Sequence, residues 1–197
     1  MRTSGPTLQL IGCSAQPDAR ARHPKGRTGE PPPLGSGASM DAKELKNKLT
    51  QLFEERRVGV LATHDRGQPY GSLVAFLASD DLVNLVFTTG RGTRKFAHLS
   101  ADPRVALVVD DRRNEAADFY EAAAVTATGR AQVLDGEEAK AMAARFVERH
   151  PQLERFVTAP SCAVVRIIVS RYTYVSRFQE VVELDMDPCD RSSRANA

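Results

Sequence analysis

Between Val58 and Thr88 the chain has room for nothing but a meander of short strands. Three apolar runs, at residues 58–63, 70–78 and 82–88, are separated only by the turn formers His64-Asp65-Arg66-Gly67 and Ser79-Asp80-Asp81. Connections this short cannot carry a crossover, so the three strands pair antiparallel. Helices flank them. Leu45, Leu49, Leu52 and Phe53 recur at helical spacing, and Asp41 with Glu44 three residues on marks the N-terminus of a helix over residues 41–57.

Downstream, Thr89-Gly90-Arg91-Gly92 leads into a short helix over 93–99, ended by Ala101-Asp102-Pro103. A fourth strand is expected at 104–109 and a polar loop or lid at 110–121. A fifth strand follows at 123–134, where Thr126, Thr128 and Arg130 alternate with apolar residues. A helix over 135–150 is stopped by Pro151, and a second helical piece covers 152–156. A long sixth strand spans 162–176, with a short extension at 180–184. This order predicts a mainly β fold, an antiparallel meander closed into a small barrel and opened at two points by helical insertions.

The first 39 residues are of another kind. They hold six of the eleven prolines and six of the thirteen glycines, and five of the cationic side chains (Arg2, Arg20, Arg22, Lys25, Arg27) against Asp18 and Glu30. Such a segment buries too little apolar surface to offset the entropy of ordering, so residues 1–39 are read as a disordered extension. The body, residues 40–184, is close to charge balance, which implies no broad basic face for nucleic acid. Residues 185–197 read as a flexible tail. No apolar run approaches the roughly 20 residues of a membrane helix. Leu10-Ile11-Gly12-Cys13 has the outline of a lipoprotein cleavage site, but it lacks the continuous apolar stretch that a signal peptide requires. Cys13, Cys162 and Cys189 fit no metal or redox spacing and read as free thiols of a cytoplasmic protein. His64, His98 and His150 share no metal-ligand spacing, and no serine stands in a nucleophile elbow. No catalytic residue is identified.

Chemistry concentrates at Thr88-Thr89-Gly90-Arg91-Gly92-Thr93-Arg94-Lys95. A strand ends, turns on two glycines and opens a helix, whose first N–H groups and partial positive charge suit an anion. Arg91, Arg94 and Lys95 add charge, Thr88, Thr89 and Thr93 add hydroxyls, and no acidic residue lies between Asp81 and Asp102. A phosphate group is the expected ligand, and a solvated basic loop is the alternative. The second informative stretch is Pro69-Tyr70-Gly71-Ser72-Leu73-Val74. Glycine within a strand marks either a barrel bend or the close approach of a ligand. Tyr70, Ser72 and Val74 share one side of it.

These pieces, in order, resemble the split barrels of the pyridoxamine 5′-phosphate oxidase-like family. They are Gly67-Gln68-Pro69-Tyr70-Gly71-Ser72, Leu85-Val86-Phe87-Thr88, Thr93-Arg94-Lys95 with Leu99, Asp102-Pro103-Arg104-Val105, and Val125-Thr126-Ala127-Thr128-Gly129-Arg130-Ala131. The resemblance implies a six-stranded antiparallel split β-barrel flanked by helices. It also implies a homodimer with FMN at the interface and a small-molecule substrate or electron donor. On that pattern Arg94, Lys95, Thr88 and Thr93, with Arg91 beside them, hold the FMN phosphate. The strand containing Pro69, Tyr70, Ser72 and Val74 lies against the ring and ribityl chain, and Asn114 and Gln132 are secondary candidates. The expected activity is that of an FMN-dependent oxidoreductase. The alternatives are a flavin- or haem-binding module without turnover, and a reductase using a deazaflavin coenzyme. The chain has no Trp and closes on Asp185-Met186-Asp187-Pro188-Cys189, unlike pyridoxamine-phosphate oxidases proper, so pyridoxamine phosphate is not the expected substrate.

Overall fold

The computed structural model describes residues 40–177 and 180–186, and the extension and tail expected at the two ends fall outside the described residues but for Asp185 and Met186. Helix α1 (Ala42–Glu55) starts where Asp41 accepts the Glu44 N–H at 2.7 Å. It buries Leu45, Leu49, Leu52 and Phe53 in one end of a barrel. Each such side chain contributes about 1.5–3 kcal/mol on burial. Phe53 meets Phe76 edge to face at 5.5 Å, which ties the helix to the barrel wall.

Strand β1 (Val58–Asp65) turns through Arg66 and Gly67, both at positive φ, into β2 (Gln68–Ala78). This tight two-residue hairpin extends both strands into residues that the polar composition assigned to a turn, so His64 belongs to β1. The next connection departs from expectation in the other direction. Ser79 and Asp81 fold residues 79–83 into a turn, with Asp81 accepting from Ser79 and from the Val83 N–H. Apolar Leu82 sits there buried at positive φ, and β3 starts only at Asn84 (Asn84–Gly90). Helix α2 (Arg94–Ala101), β4 (Arg104–Asp110), β5 (Ala124–Val133), α4 (Gly136–Arg149) and β6 (Cys162–Ser176) follow the predicted order. Residues 110–121 are not all loop, because Asp118–Glu121 forms a short helix, α3. After a 3-10 turn comes α5 (Glu154–Val157), and the expected extension is a full strand, β7 (Glu180–Asp185). β7 takes in Asp185, which pairs with Arg171 at 2.6 Å and so belongs to the body, not the tail.

The strands run β3-β2-β1-β4-β5-β6, and β6 returns to β3, closing a six-stranded antiparallel barrel. β7 lies outside it on the far half of β6. A register shift at Thr128/Gly129 lets β6 bend between these tasks, and a Cβ on Gly129 would fall 2.2 Å from the Ile168 carbonyl oxygen. Outside the barrel, α4 lays Phe146 with Ala143 and Val147 over Val86, Val164, Ala75 and Leu77. The outer side of β2 at Ala75 and Leu77, of β3 at Val86 and of β6 at Val164 is thereby covered. Among the described residues no helix is long and apolar enough to cross a membrane.

Candidate functional site

The barrel is zipped unevenly. Along β1, all eight residues from Gln68 to Ala75 of β2 are paired. Along β3, β2 is paired only at Phe76, Leu77 and Ala78. From Gln68 to Ala75, then, β2 has one bonded edge, and Thr88–Gly90 of β3 are bonded only to β6. Alternate N–H and C=O groups of an antiparallel strand face its second edge, so a slit with unused backbone donors and acceptors opens between β2 and β3.

The basic corner closes the lower end of this slit. Thr93 is the N-cap of α2: its hydroxyl accepts the Phe96 N–H at 3.4 Å, donates to the Gly90 carbonyl at 2.9 Å and lies 3.0 Å from the Thr89 hydroxyl. The helix start is thus fixed by neighbours on β3, leaving its other N–H groups directed outward. Arg94 is exposed, Lys95 is half-buried and the Arg91 guanidinium lies 5.6 Å from the centre of the Phe96 ring. Among the described residues no ion pair engages any of the three. An uncompensated cationic cluster at a capped helix start has the charge and the N–H donors that an anion such as phosphate requires.

The end of α2 is anchored as firmly. Asp102 pairs with Arg104 at 2.6 Å and with His64 at 3.2 Å, and the Arg104 guanidinium holds its carboxyl well below the usual carboxylate range. His98 lies 3.2 Å through Nδ1 from the buried Thr63 hydroxyl and meets the Tyr70 ring edge to face. These contacts tie the hairpin β1–β2 to helix α2.

Of the candidates from sequence, Pro69, Tyr70, Ser72 and Val74 line the slit strand, and Thr93, Arg94, Lys95 and Arg91 meet at the corner. Tyr70, Ser72 and Val74 share the inward face, so the strand presents its backbone edge, not these side chains, to the slit. The Ser72 hydroxyl is buried with no partner, an orphan polar atom beside the slit. A Cβ on Gly71 would meet only Val60 Cγ1 at 3.6 Å, so packing within the chain does not demand this glycine, and the approach over it is open. Thr88 lies on the alternate face of β3, and it is Thr89 that reaches Thr93. Asn114 stands beyond the far end of β4, at positive φ in the 110–121 segment. Gln132 is spent on Arg166 at 2.7 Å. Thr63 and Phe96 escaped the sequence reading, since no local spacing ties Thr63 to this corner and Phe96 reads as an ordinary apolar helix residue. An apolar groove of about 810 Å³ runs from Arg91 between α4, α5 and the start of β6. Cys162 lines it as a free thiol, its pKa pushed up by burial. No cluster of metal-ligating side chains exists among the described residues.

A six-stranded barrel unzipped beside a phosphate-ready helix start defines a split-barrel protein. The sequence profile for pyridoxamine 5′-phosphate oxidase matches residues 45–176. The chain belongs to the pyridoxamine 5′-phosphate oxidase-like family. No curated protein matches it in sequence. Solved structures of similar fold include a heme binding protein from Mycobacterium smegmatis (20% identity, 71% of this chain and 57% of that one, TM-score 0.62). An FAD-binding protein from Mesorhizobium loti shares 24% identity over 65% of this chain and 90% of its own, with a TM-score of 0.54. The heme storage protein HutZ from Vibrio cholerae shares 19% over 64% and 89%, with a TM-score of 0.56. The chain spans little more than half of the mycobacterial protein. At such identities the likeness establishes the fold.

Proposed function

We propose that this protein binds FMN in the slit between β2 and β3 and serves as an FMN-dependent oxidoreductase of a reducing, cytoplasmic compartment. The observation that carries the reading is the adjacency of an unpaired strand edge and an uncompensated basic helix start. One suits the hydrogen-bonding rim of a flat heteroaromatic ring and the other its phosphate. Arg94, Lys95 and the first N–H groups of α2 hold the phosphate, with Thr93 fixing the helix start and Arg91 flanking it. The backbone of residues 69–74 orients the ring, and Gly71 leaves room for it. FMN supplies hydride or electron transfer when bound, and the protein supplies position and hydrogen bonds. No side chain at the corner stands out as an acid or base, which agrees with chemistry carried by the cofactor.

The chain acts as a homodimer in this reading. Among the described residues no helix covers the outer face of β1, β4 and residues 69–73 of β2, and Val58 and Leu73 (72% exposed) stand out there, with Val60 and Val108 beside them. A second copy is the natural cover for such a face. The decisive test is a fluorescence titration of FMN against the purified chain and its Arg94→Ala/Lys95→Ala variant. The variant should lose about 1.5–3 kcal/mol for each charge-assisted bond removed. Equal affinity of the two proteins would refute the assigned phosphate corner.

A further inference from the structure

A small pocket of about 290 Å³ lies where the covered side of the barrel meets the bare one. Val58 of β1, Leu73 and Ala75 of β2 and Leu153 of the 3-10 turn give it an apolar wall. Three polar side chains complete it. Arg57 comes from the link between α1 and β1, and His150 and Gln152 from the link between α4 and α5. Among the described residues no carboxylate lines it. Arg57 spends one nitrogen on the Arg149 carbonyl at 2.6 Å and has no acidic partner among the described residues. Gln152 is exposed, so its amide is free to turn a donor inward. His150 is fully buried. Its Nε2–H donates to the Phe76 carbonyl, which leaves the lone pair on Nδ1, and that nitrogen has no partner. Burial opposes protonation of the ring, and the Arg149 and Arg57 guanidinium groups add to it. The ring therefore stays a neutral acceptor. A buried acceptor without a donor is costly, and a donor brought by a ligand relieves that cost.

This lining selects a ligand by three features. A carboxylate meets Arg57 and the Gln152 amide. A hydroxyl meets the Nδ1 lone pair. An ammonium in its place would be repelled, because two guanidinium groups already act on the same ring. A short aliphatic group meets Val58, Leu73, Ala75 and Leu153. We infer that the pocket is a binding site for a small hydroxycarboxylate, its carboxylate on Arg57, its hydroxyl donating to His150 Nδ1 and its carbon chain against the apolar wall. The site rests on these residues alone and does not depend on what the slit between β2 and β3 holds.

Lactate, propionate and alanine provide the test. They share one carbon skeleton and carry a hydroxyl, a hydrogen or an ammonium at the same carbon. Each is titrated into the full chain and followed by NMR, on the ligand methyl group and on the ring signals of His150. A site that hydrogen-bonds a hydroxyl rejects the analogue lacking it, so lactate should bind about tenfold or more tightly than propionate, and alanine more weakly than either. Lactate should also move the His150 ring signals. Arg57→Gln alters an exposed side chain, so circular dichroism should match the parent while lactate affinity falls about tenfold. Equal affinity for lactate and propionate would overturn the inference. So would a lactate complex that leaves the His150 ring signals unmoved, or a folded Arg57→Gln variant with parental lactate affinity, or no binding of any of the three. The flavin reading is judged separately, by the FMN titration of the Arg94→Ala/Lys95→Ala variant.

Discussion

His150 shows how one side chain links packing to pH. It is fully buried, its Nε2–H donates to the Phe76 carbonyl at 2.8 Å, and its Nδ1 has no partner. That pattern belongs to the neutral imidazole. Burial lowers its pKa from the ordinary 6.5, so in the range just below that value the unfolded chain takes up a proton and the native one does not. The sign follows: its contribution to stability is complete above the ordinary pKa and declines as pH falls, until the native pKa is passed. Urea unfolding at pH 7 and pH 5 should show the parent weakening more than a His150→Leu variant. At pH 7 that variant should itself be less stable by about 1–3 kcal/mol, because the Phe76 carbonyl is left unpaired. A pH slope that survives the substitution would show that His150 is not its source. The sequence alone left His150 an unassigned histidine after a helix, since its partner lies 74 residues away.

Elements were legible where their signals are local. Asp41, the spacing of Leu45 and Leu49, and the capping Thr93 place α1 and α2 without any tertiary knowledge. Errors arose where composition and conformation part. Leu82 and Val83 are apolar residues in a turn, and His64 and Asp65 are polar residues in a strand, because hairpin length is set by turn geometry more than by polarity. The half-zipped state of β2 was hidden for a different reason. Which strand neighbours which is a long-range fact, and only Pro69 and Gly71 hinted that part of β2 would be an edge. The ends of α1 and α4 illustrate the same distance effect. Arg149 donates to the carbonyls of Phe53, Glu54 and Arg56, and Arg57 donates back to the Arg149 carbonyl at 2.6 Å. These are the carbonyls that a helix C-terminus leaves without partners. Arg149→Ala should cost about 1.5–3 kcal/mol. Hydrogen exchange should localise the loss to the last turn of α1, and unchanged protection there would show that the cap is redundant.

For the molecule as a whole, the division of the barrel surface into covered and bare sides is what the proposed assembly rests on. Helix α4 covers one side, α1 and α2 close the ends, and the face of β1, β2 and β4 is left with Val58 and Leu73 exposed. On the homodimer reading proposed above, Val58→Lys/Leu73→Lys should give a folded monomer. Circular dichroism would match the parent while light scattering halves the mass, and a persistent dimer would place the interface elsewhere. The fold class was readable from the order of short strands and inserted helices, whereas the covered and bare sides were not. Apolar residues on both faces of β2 look alike in one dimension, and only packing tells which of them meets a helix.

An extended segment with one row of hydrogen-bonding groups unsatisfied is also a template on which foreign chains can polymerise. In β2 that hazard coincides with Pro69, which has no N–H to offer, and with Gly71, which is reluctant to stay extended. Pro69 and Gly71 thus make the open stretch of β2 a poor seed for amyloid-like growth, so its unpaired edge can stay exposed without recruiting a foreign strand.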